Sequence, residues 1–498
     1  MRPAARSRSG PRGSARSKSP RTTSSASPRT SSPTRPVTEP AVPTAPAPIE
    51  VDEELVRNVA ALVEADARGM VLNLVADLRS ADLARLVSHL PLGDARQLVG
   101  WLPPDPLADV LPELESSLRG ELLDDFSAPQ IVKLLDRLET DDQADVLGDL
   151  AETDAETVEA VLPQLEDSLD VRQLLTYDEE TAGGLMSTEY VAVRAEATVA
   201  EATEEVRRCA ETIDPVYVVY AVDTRGALVG VVPLKRLLLS RARARLADLA
   251  EDDVVTVTPD VDQEEVARIM ERYDLIALPV VSRDNRLLGR ITIDDVVDVI
   301  REEAEEDLQR AVGITGEEEL SSGVFAVSRG RLVWLLLGLA GAYVSGLVIV
   351  GFEEALQVAP VLALFIPIVM AMAGNAGIQS SAIAVQGLAS GDLWRSDLVR
   401  RIGKELGVAL INGVVLAVAL GVIVVVSGFG DDTQRLALTA GLALLFVIVL
   451  STLVGATVPL ALSRVGIDPA LAMGPFITVS NDILGLLVFF FVATVLYL

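Results

Sequence analysis

The sequence predicts a multidomain protein: an all-α superhelical domain, then an α/β tandem domain, then an α-helical transmembrane domain with five helices. Three observations carry this. Apolar residues recur with helical period in short runs over 53–175. A β-α-β-β-α pattern occurs twice over 186–306. Long charge-free stretches fill the chain after Arg331. Charge is partitioned in the same way. The formal net charge of the 498 residues is −30, but residues 1–50 carry nine Lys and Arg against two Glu. Residues 51–330 carry 26 Lys and Arg against 61 Asp and Glu, and residues 331–498 carry seven against nine. The chain therefore divides into a basic tail at 1–49, a helical domain at 50–176, a tandem domain at 177–308, a connecting helix at 309–330 and a membrane domain at 331–498. So acidic a middle repels phosphates, which argues against nucleic acid as a partner. A single cysteine, Cys209, excludes a disulfide framework, and a single histidine, His89, excludes HExxH metalloprotease chemistry.

The tail is built from Arg, Ser, Pro, Thr and Ala, with too little apolar surface to offset chain entropy, and reads as disordered. Its composition resembles a transit peptide, but its prolines oppose the amphipathic helix such a peptide needs. A plain basic tail touching anionic lipid is the favoured reading. No secretory apolar segment is present, so the domains that follow are expected in the cytoplasm.

In the helical domain, Asp or Ser often precedes an apolar run, as N-caps do. Leu-Pro recurs at Leu90-Pro91, Leu102-Pro103, Leu111-Pro112 and Leu162-Pro163, marking the turns of a superhelix of short helices. Its acidic face, with Asp141, Asp142, Asp145 and Asp149, is either a solvated scaffold surface or one side of a cation-bridged interface.

The first α/β copy places strands at 190–193, 216–221 and 227–232, with helices at 199–208 and from 234. The second places strands at 254–257, 277–281 and 287–291, with helices at 263–273 and from 293. Gly230 and Gly289 align the copies. The doubled unit resembles a pair of cystathionine-β-synthase (CBS) domains, which implies a regulatory module for adenosine nucleotides or ions. That family's nucleotide signature is matched in the second copy by Gly289, Thr292 and Asp295, whereas the first copy has Pro233 and Arg236 at the corresponding places. A Thr at a helix N-terminus suits a phosphate and a carboxylate suits ribose hydroxyls. Thr292 is equally readable as an ordinary N-cap. ATP or another adenosine nucleotide is thus a candidate cofactor. The following run, Asp294, Asp295, Asp298, Glu302, Glu303, Glu305, Glu306 and Asp307, crowds carboxylates at helical spacing. Hard divalent cations prefer such oxygens, so the run reads as a cation sensor ahead of the membrane.

Five membrane helices are expected near 332–351, 359–389, 406–428, 436–462 and 471–497. With the acidic domains inside, the inner loops hold Arg329, Arg331, Arg395, Arg400, Arg401, Lys404 and Arg464, and the outer loops only Arg435. This obeys the positive-inside rule and puts the C-terminus outside. Two features carry chemistry. Gly374-Asn375-Ala376-Gly377-Ile378-Gln379 joins close-packing glycines to polar side chains, and reads as either helix packing or an ion path. Asp482 lies within the last apolar stretch, after Pro475, Thr478 and Asn481. A mid-membrane carboxylate costs about 2.5–3.5 kcal/mol, so it normally lines a wet cavity or ion path.

The segments Asp468-Pro469-Ala470-Leu471, Gly474-Pro475-Phe476-Ile477-Thr478 and Asp482-Ile483-Leu484-Gly485 resemble the last helix of the MgtE magnesium channel/transporter family. The 374–379 segment resembles its second-helix motif, and Tyr177-Asp178-Glu179-Glu180-Thr181-Ala182-Gly183-Gly184-Leu185-Met186 its junction between helical domain and CBS pair. The likeness runs from about 53 to 498 and departs at Ile378, where some members carry Asn. It implies a non-enzymatic homodimer in the inner or plasma membrane, with a Mg2+ pore on its twofold axis. It places Asp482, Asn375 and Thr478 in that pore. It implies a cytosolic Mg2+ sensor drawn from Asp262, Glu264, Asp274, Asp295, Asp298, Glu303, Glu306 and Asp307, with Asp141 and Asp145 from the helical domain. Mg2+ would then be both substrate and regulator, closing the pore through a helix near 315–330. A rival from another class is a membrane-anchored CBS nucleotide or cation sensor without transport.

Overall fold

The computed structural model describes residues 51–210, 213, 215–312, 324–389, 398–428, 430, 432–467, 469–472 and 474–498. The basic tail, residues 313–323 of the expected connecting helix, Arg395 of the expected inner loops, and Asp468 of the last-helix motif lie outside them.

The helical domain runs from the helix Glu53–Glu64 to the helix Ser168–Leu174. Its helix starts follow local chemistry. Asp52 Oδ1 accepts from Leu55 N at 2.8 Å, and Asp154 Oδ1 from Thr157 N at 3.2 Å. Pro91 and Pro103 stand at the N-caps of Leu92–Trp101 and Pro104–Val110, so two of the Leu-Pro pairs are helix boundaries. The apolar stripes Leu83/Leu86/Val87 and Ile131/Leu134/Leu135 are buried, as helical period requires. Helix α1 (Thr140–Thr153) carries Val146, Leu147 and Leu150 into the same core, and its first turn, with Thr140 and Asp141, is itself buried.

The α/β repeat follows. Strands β1 (Ala192–Arg194), β2 (Val218–Val222) and β3 (Leu228–Pro233) form one sheet, with β1 parallel and β3 antiparallel to β2. Helix α2 (Val199–Cys209) begins with a capping box between Thr198 and Glu201. In the second copy, α3 (Gln263–Tyr273) precedes the antiparallel pair β4 (Ala277–Val281) and β5 (Leu287–Thr292). Helix α4 (Ile293–Val312) continues directly from β5. The strand expected at 254–257 is reduced to a single bridge, Val257 to Val280. Val281 N donates to Val257 O, but Pro279, one rung earlier, has no N–H to donate, and the ladder stops. The aligned glycines have matching roles. A Cβ on Gly230 would lie 2.5 Å from Glu251 O, and one on Gly289 would lie 2.6 Å from Ser187 O. Each lets a connecting segment press against its strand.

Five further helices are long and apolar enough to cross a membrane: α5 (Val324–Gly351), α6 (Ile366–Ala389), α7 (Leu398–Ser427), α8 (Thr433–Val465) and α9 (Pro475–Leu496). The expected second helix is split. Pro360–Phe365 is a 3-10 turn, and α6 starts only at Ile366, because Pro360 and Pro367 remove backbone donors there. Likewise α9 starts at Pro475 rather than at 471. Helices α6, α8 and α9 pack around a core that includes Val369, Ala373, Leu444, Val447, Phe489 and Phe490. Small residues set the spacing. A Cβ on Gly455 of α8 would lie 2.2 Å from Gly377 O of α6.

Candidate functional site

Two polar constellations stand out, one between the helical and α/β domains and one among the apolar helices.

The first forms where the N-terminus of α1 meets the β5–α4 turn and the segment 187–189. Thr188 N donates to Thr140 Oγ1 at 2.9 Å, and the two threonine hydroxyls lie 3.0 Å apart. Arg290, buried on β5, donates Nη2 to both carboxylate oxygens of Glu139 at 3.1 Å and Nη1 to Pro215 O at 2.9 Å. Around these contacts gather carboxylates. Asp141 is buried, and its Oδ1 has no hydrogen-bond partner. Burial, then the charge of Asp295, then Asp142, Glu139 and Asp145, hold its carboxyl well above the usual range. Burial and the neighbouring Asp295 push Asp142 up to about 7. Burial raises Asp295 to about 6, against the pull of hydrogen bonds from Thr292 Oγ1 (2.8 Å) and Thr292 N (3.2 Å). Burial, with Glu139 and Asp167, takes Glu189 to about 8. The interface therefore concentrates negative charge from two domains and is strained electrostatically.

The remaining carboxylates expected as ligands are spread along α3 and α4. Asp262 caps α3, accepting from Glu264 N at 3.0 Å, while Asp274 closes its far end in a left-handed conformation, φ 51°. The 11 residues of α3 separate them by about 16 Å, so the structure does not bring Asp274 together with Asp262 and Glu264. Glu264 pairs with Arg268 at 2.5 Å. Glu303 accepts from Gln263 Nε2 at 2.7 Å, which places it beside the start of α3. Asp298 is exposed, 3.6 Å from Arg301, and its charge reaches Glu113 of the helical domain. Glu306 pairs with Arg310, and Asp307 is half-buried on the same helix. Asp145 is exposed on α1. Among the described residues no three of His, Cys, Asp and Glu converge closely enough to hold an ion directly.

The nucleotide signature is internally engaged. Thr292 gives both its hydroxyl and its backbone N–H to Asp295, the geometry of a local cap. Gly289 serves the approach of Ser187.

Within the membrane-type helices, α6 and α9 touch along glycines. A Cβ on Gly374 would meet Thr478 Cγ2 at 3.9 Å, and one on Gly377 would overlap the Asn481 side chain. The contact runs in register, Gly374 with Thr478 and Gly377 with Asn481, so Asn375 lies near the level of Thr478 and Asp482 about one turn further along. Asn375 and Gln379 are exposed on α6 at i, i+4 spacing; Thr478 and Asp482 are partly exposed on α9 at the same spacing. Ile378 is 40% exposed on the same side of α6. Asn481 is fully buried, and neither amide atom has a hydrogen-bond partner.

Sequence reasoning missed several polar residues. Glu405, one residue before the helix expected at 406–428, is buried on α7 and accepts from Ser380 Oγ of α6 at 3.0 Å. Arg401 Nη2 donates to Ile383 O at 2.6 Å, a second tie between these helices. The signal was present: Glu405 and Asp482 are the two acidic residues within the five apolar helical spans. Arg290 interrupts an otherwise apolar strand, Leu287–Ile291, and Arg119 pairs with Asp149 at 2.6 Å.

Comparison with known proteins places these features in a family. The family model for the MgtE divalent cation transporter matches residues 366–492, that for the MgtE intracellular N domain matches 78–180, and that for the CBS domain matches 182–242 and 246–302. A magnesium transporter MgtE of Thermus thermophilus is 35% identical over 445 residues, covering 88% of this chain and 97% of that protein. One of Bacillus subtilis is 31% identical over 443 residues, covering 89% and 97%. Among solved structures, the cytosolic domain of the Mg2+ channel MgtE in complex with ATP is similar at 36% identity and a TM-score of 0.45, covering 48% of this chain and 97% of that one.

Proposed function

The chain belongs to the MgtE family of magnesium transporters, and from that premise we propose that it admits Mg2+ passively into the cytoplasm and shuts when cytosolic Mg2+ is high. The observation that carries the regulatory half is the interface of α1 with the β5–α4 turn. Carboxylates of two domains crowd there, and the buried Asp141 Oδ1 lacks a donor. A hydrated divalent cation relieves the repulsion between Asp141, Asp142 and Asp295, and so binds the docked arrangement better than the separated one. Separation at low Mg2+ releases the connecting helix at 309–330, and the pore opens. Asp262, Glu264, Asp274, Asp298, Glu303, Glu306, Asp307 and Asp145 supply further outer contacts to ions along the same acidic surface. ATP or a related nucleotide at Gly289, Thr292 and Asp295 would require Asp295 to leave its hydrogen bonds with Thr292. The relative crystallised with ATP supports testing this.

The transport half rests on Asp482. On our reading two subunits face each other across α6 and α9, embedded in cell-membrane lipid with the acidic domains inside and the C-terminus outside. Asp482 and Asn375 from each then hold Mg2+ through its waters, and Thr478 lines the entrance. In proteoliposomes, Mg2+ influx should fall to background on Asp482→Ala, with unchanged dimer yield. Influx that survives this substitution overturns the pore reading in favour of a sensor without transport. Neutralising Asp141 and Asp295 together should abolish inhibition by internal Mg2+ without lowering the maximal flux.

A further inference from the structure

One contact at this interface needs no ion from solution. Arg290 sits at 4% exposure on β5 and ties three parts of the chain together. Its backbone pairs with Ser187 in the segment that links the domains: Ser187 N to Arg290 O is 2.8 Å and Arg290 N to Ser187 O is 2.9 Å. Its guanidinium binds Pro215 O in the first CBS copy and both oxygens of Glu139 at the N-terminus of α1. The Thr140–Thr188 pair adjoins it. A single Nη2 shared between both carboxylate oxygens, with Nη1 held by Pro215 O, is a charge-assisted contact whose direction the buried guanidinium fixes. The other ionisable groups facing this junction are acidic: Asp141, Asp142, Asp145, Glu189, Asp294 and Asp295, with Arg119 already committed to Asp149. A buried positive charge here offsets part of the repulsion that a divalent cation would otherwise have to offset.

We propose that Arg290 acts as a built-in cation that docks the helical domain on the CBS pair through Glu139, and thereby sets the Mg2+ concentration at which the channel shuts. This rests on the sensor reading above and adds the residue that fixes its set point. Two terms then share the docking equilibrium. The Arg290–Glu139 grip is constant, and the Mg2+-dependent relief of carboxylate repulsion is variable. Loss of the grip must be made up by more Mg2+. A charge pair this well buried on one side changes docking by about tenfold or more when one partner is neutralised. If two ions bind on docking, a tenfold deficit raises the half-inhibiting Mg2+ by the square root of ten, about threefold.

The test uses the full-length protein. Glu139→Gln, Arg290→Gln and the exchanged pair Glu139→Arg with Arg290→Glu are compared with wild type for inhibition of flux by internal Mg2+ in proteoliposomes. In parallel, spin labels at Lys133 and Arg283, in a Cys209→Ser background, report docking in EDTA. Glu139→Gln should raise the half-inhibiting Mg2+ about threefold at unchanged maximal flux. It should also broaden the label distances in EDTA, where wild type keeps a docked population. The exchanged pair should recover part of both. If Arg290→Gln fails to fold, Glu139→Gln and the exchanged pair decide the matter. A Mg2+-inhibited wild type with an unmoved Glu139→Gln midpoint overturns the built-in cation alone. A wild type whose flux ignores internal Mg2+ overturns the sensor reading, and the set point with it.

Discussion

Replacing Gly455 by alanine tests whether the polar layer depends on the closeness of α6 and α8. The new Cβ would stand 2.2 Å from the carbonyl oxygen of Gly377 and 3.0 Å from its carbonyl carbon. An ordinary carbon–oxygen contact needs roughly 1 Å more, and the obstacle is helix backbone, which cannot swing aside as a side chain can. The helices must therefore part locally by on the order of 1 Å. Overpacking of this kind costs about 1–3 kcal/mol, offset by up to about 1 kcal/mol from the better helix propensity of alanine. Gly377 lies two residues after Asn375 and against Asn481, so the same movement shifts Asn375 relative to Asp482. The purified protein should melt several degrees lower in detergent, and Mg2+ flux in proteoliposomes should drop several-fold. Gly338→Ala is the control: nothing lies within 4 Å of its Cβ, and both readings should stay near wild type. Wild-type melting and flux for Gly455→Ala would refute the argument that this crossing positions the polar layer.

Two further outcomes are expected. The docked interface raises Asp295 to about 6, Asp142 to about 7 and Glu189 to about 8, chiefly through burial. A carboxylate with a raised pKa holds its proton in the docked form, so docking is favoured below that value and weakened as pH rises through it. Lowering internal pH through the window from about 8 to about 6 should thus reduce the Mg2+ needed for half-inhibition of flux; an unchanged or increased requirement would contradict the described crowding. At the α6–α7 contact, Glu405→Gln keeps an acceptor for Ser380 and should leave the melting temperature close to wild type. Glu405→Ala removes that acceptor and should destabilise by about 1–3 kcal/mol in thermal melts. Equal effects of the two substitutions would mean that the charge, not the hydrogen bond, matters there.

The sequence was most legible where a repeating physical constraint acts over many residues. Helix α3 and strand β4 fall on their expected bounds, because an amphipathic run after Asp262 and an apolar run ending at Val281 each have one way to bury their apolar side. The five apolar helices followed from length alone, since a span needs about 20 uncharged residues. Single-residue effects were not legible. Nothing local in Val254–Val257 tells that its partner strand carries a proline at the decisive rung. Arg290 looks like an oddity in an apolar strand until Glu139, 151 residues away, is placed opposite it. The height of Asn375 relative to Thr478 and Asp482 depends on which glycines of α6 meet α9, a fact of packing and not of pattern. Asp274, which the resemblance groups with Asp262 and Glu264, stands at the opposite end of α3 from them, a separation that a set of sensor residues does not reveal.

The two CBS copies share a topology but not a thermodynamic fate. Val266, Met270, Leu278, Val280, Ile291 and Val296 of the second copy belong to the same buried core as the helical domain, joined through Ala182 and Met186 of the connecting segment. The first copy keeps its own core around Val199, Val219, Val232 and Leu246. Amide exchange should therefore resolve two foldons, and the boundary between them cuts through the repeat instead of around it. The half that bears the regulatory carboxylates melts and refolds with the helical domain as one cooperative block. Its sister half touches that block through the small shared core of Tyr220, Leu228, Val281 and Leu287 and through the bond from Arg290 to Pro215 O, so its opening is expected at lower cost and is felt at the ion-facing junction through that guanidinium.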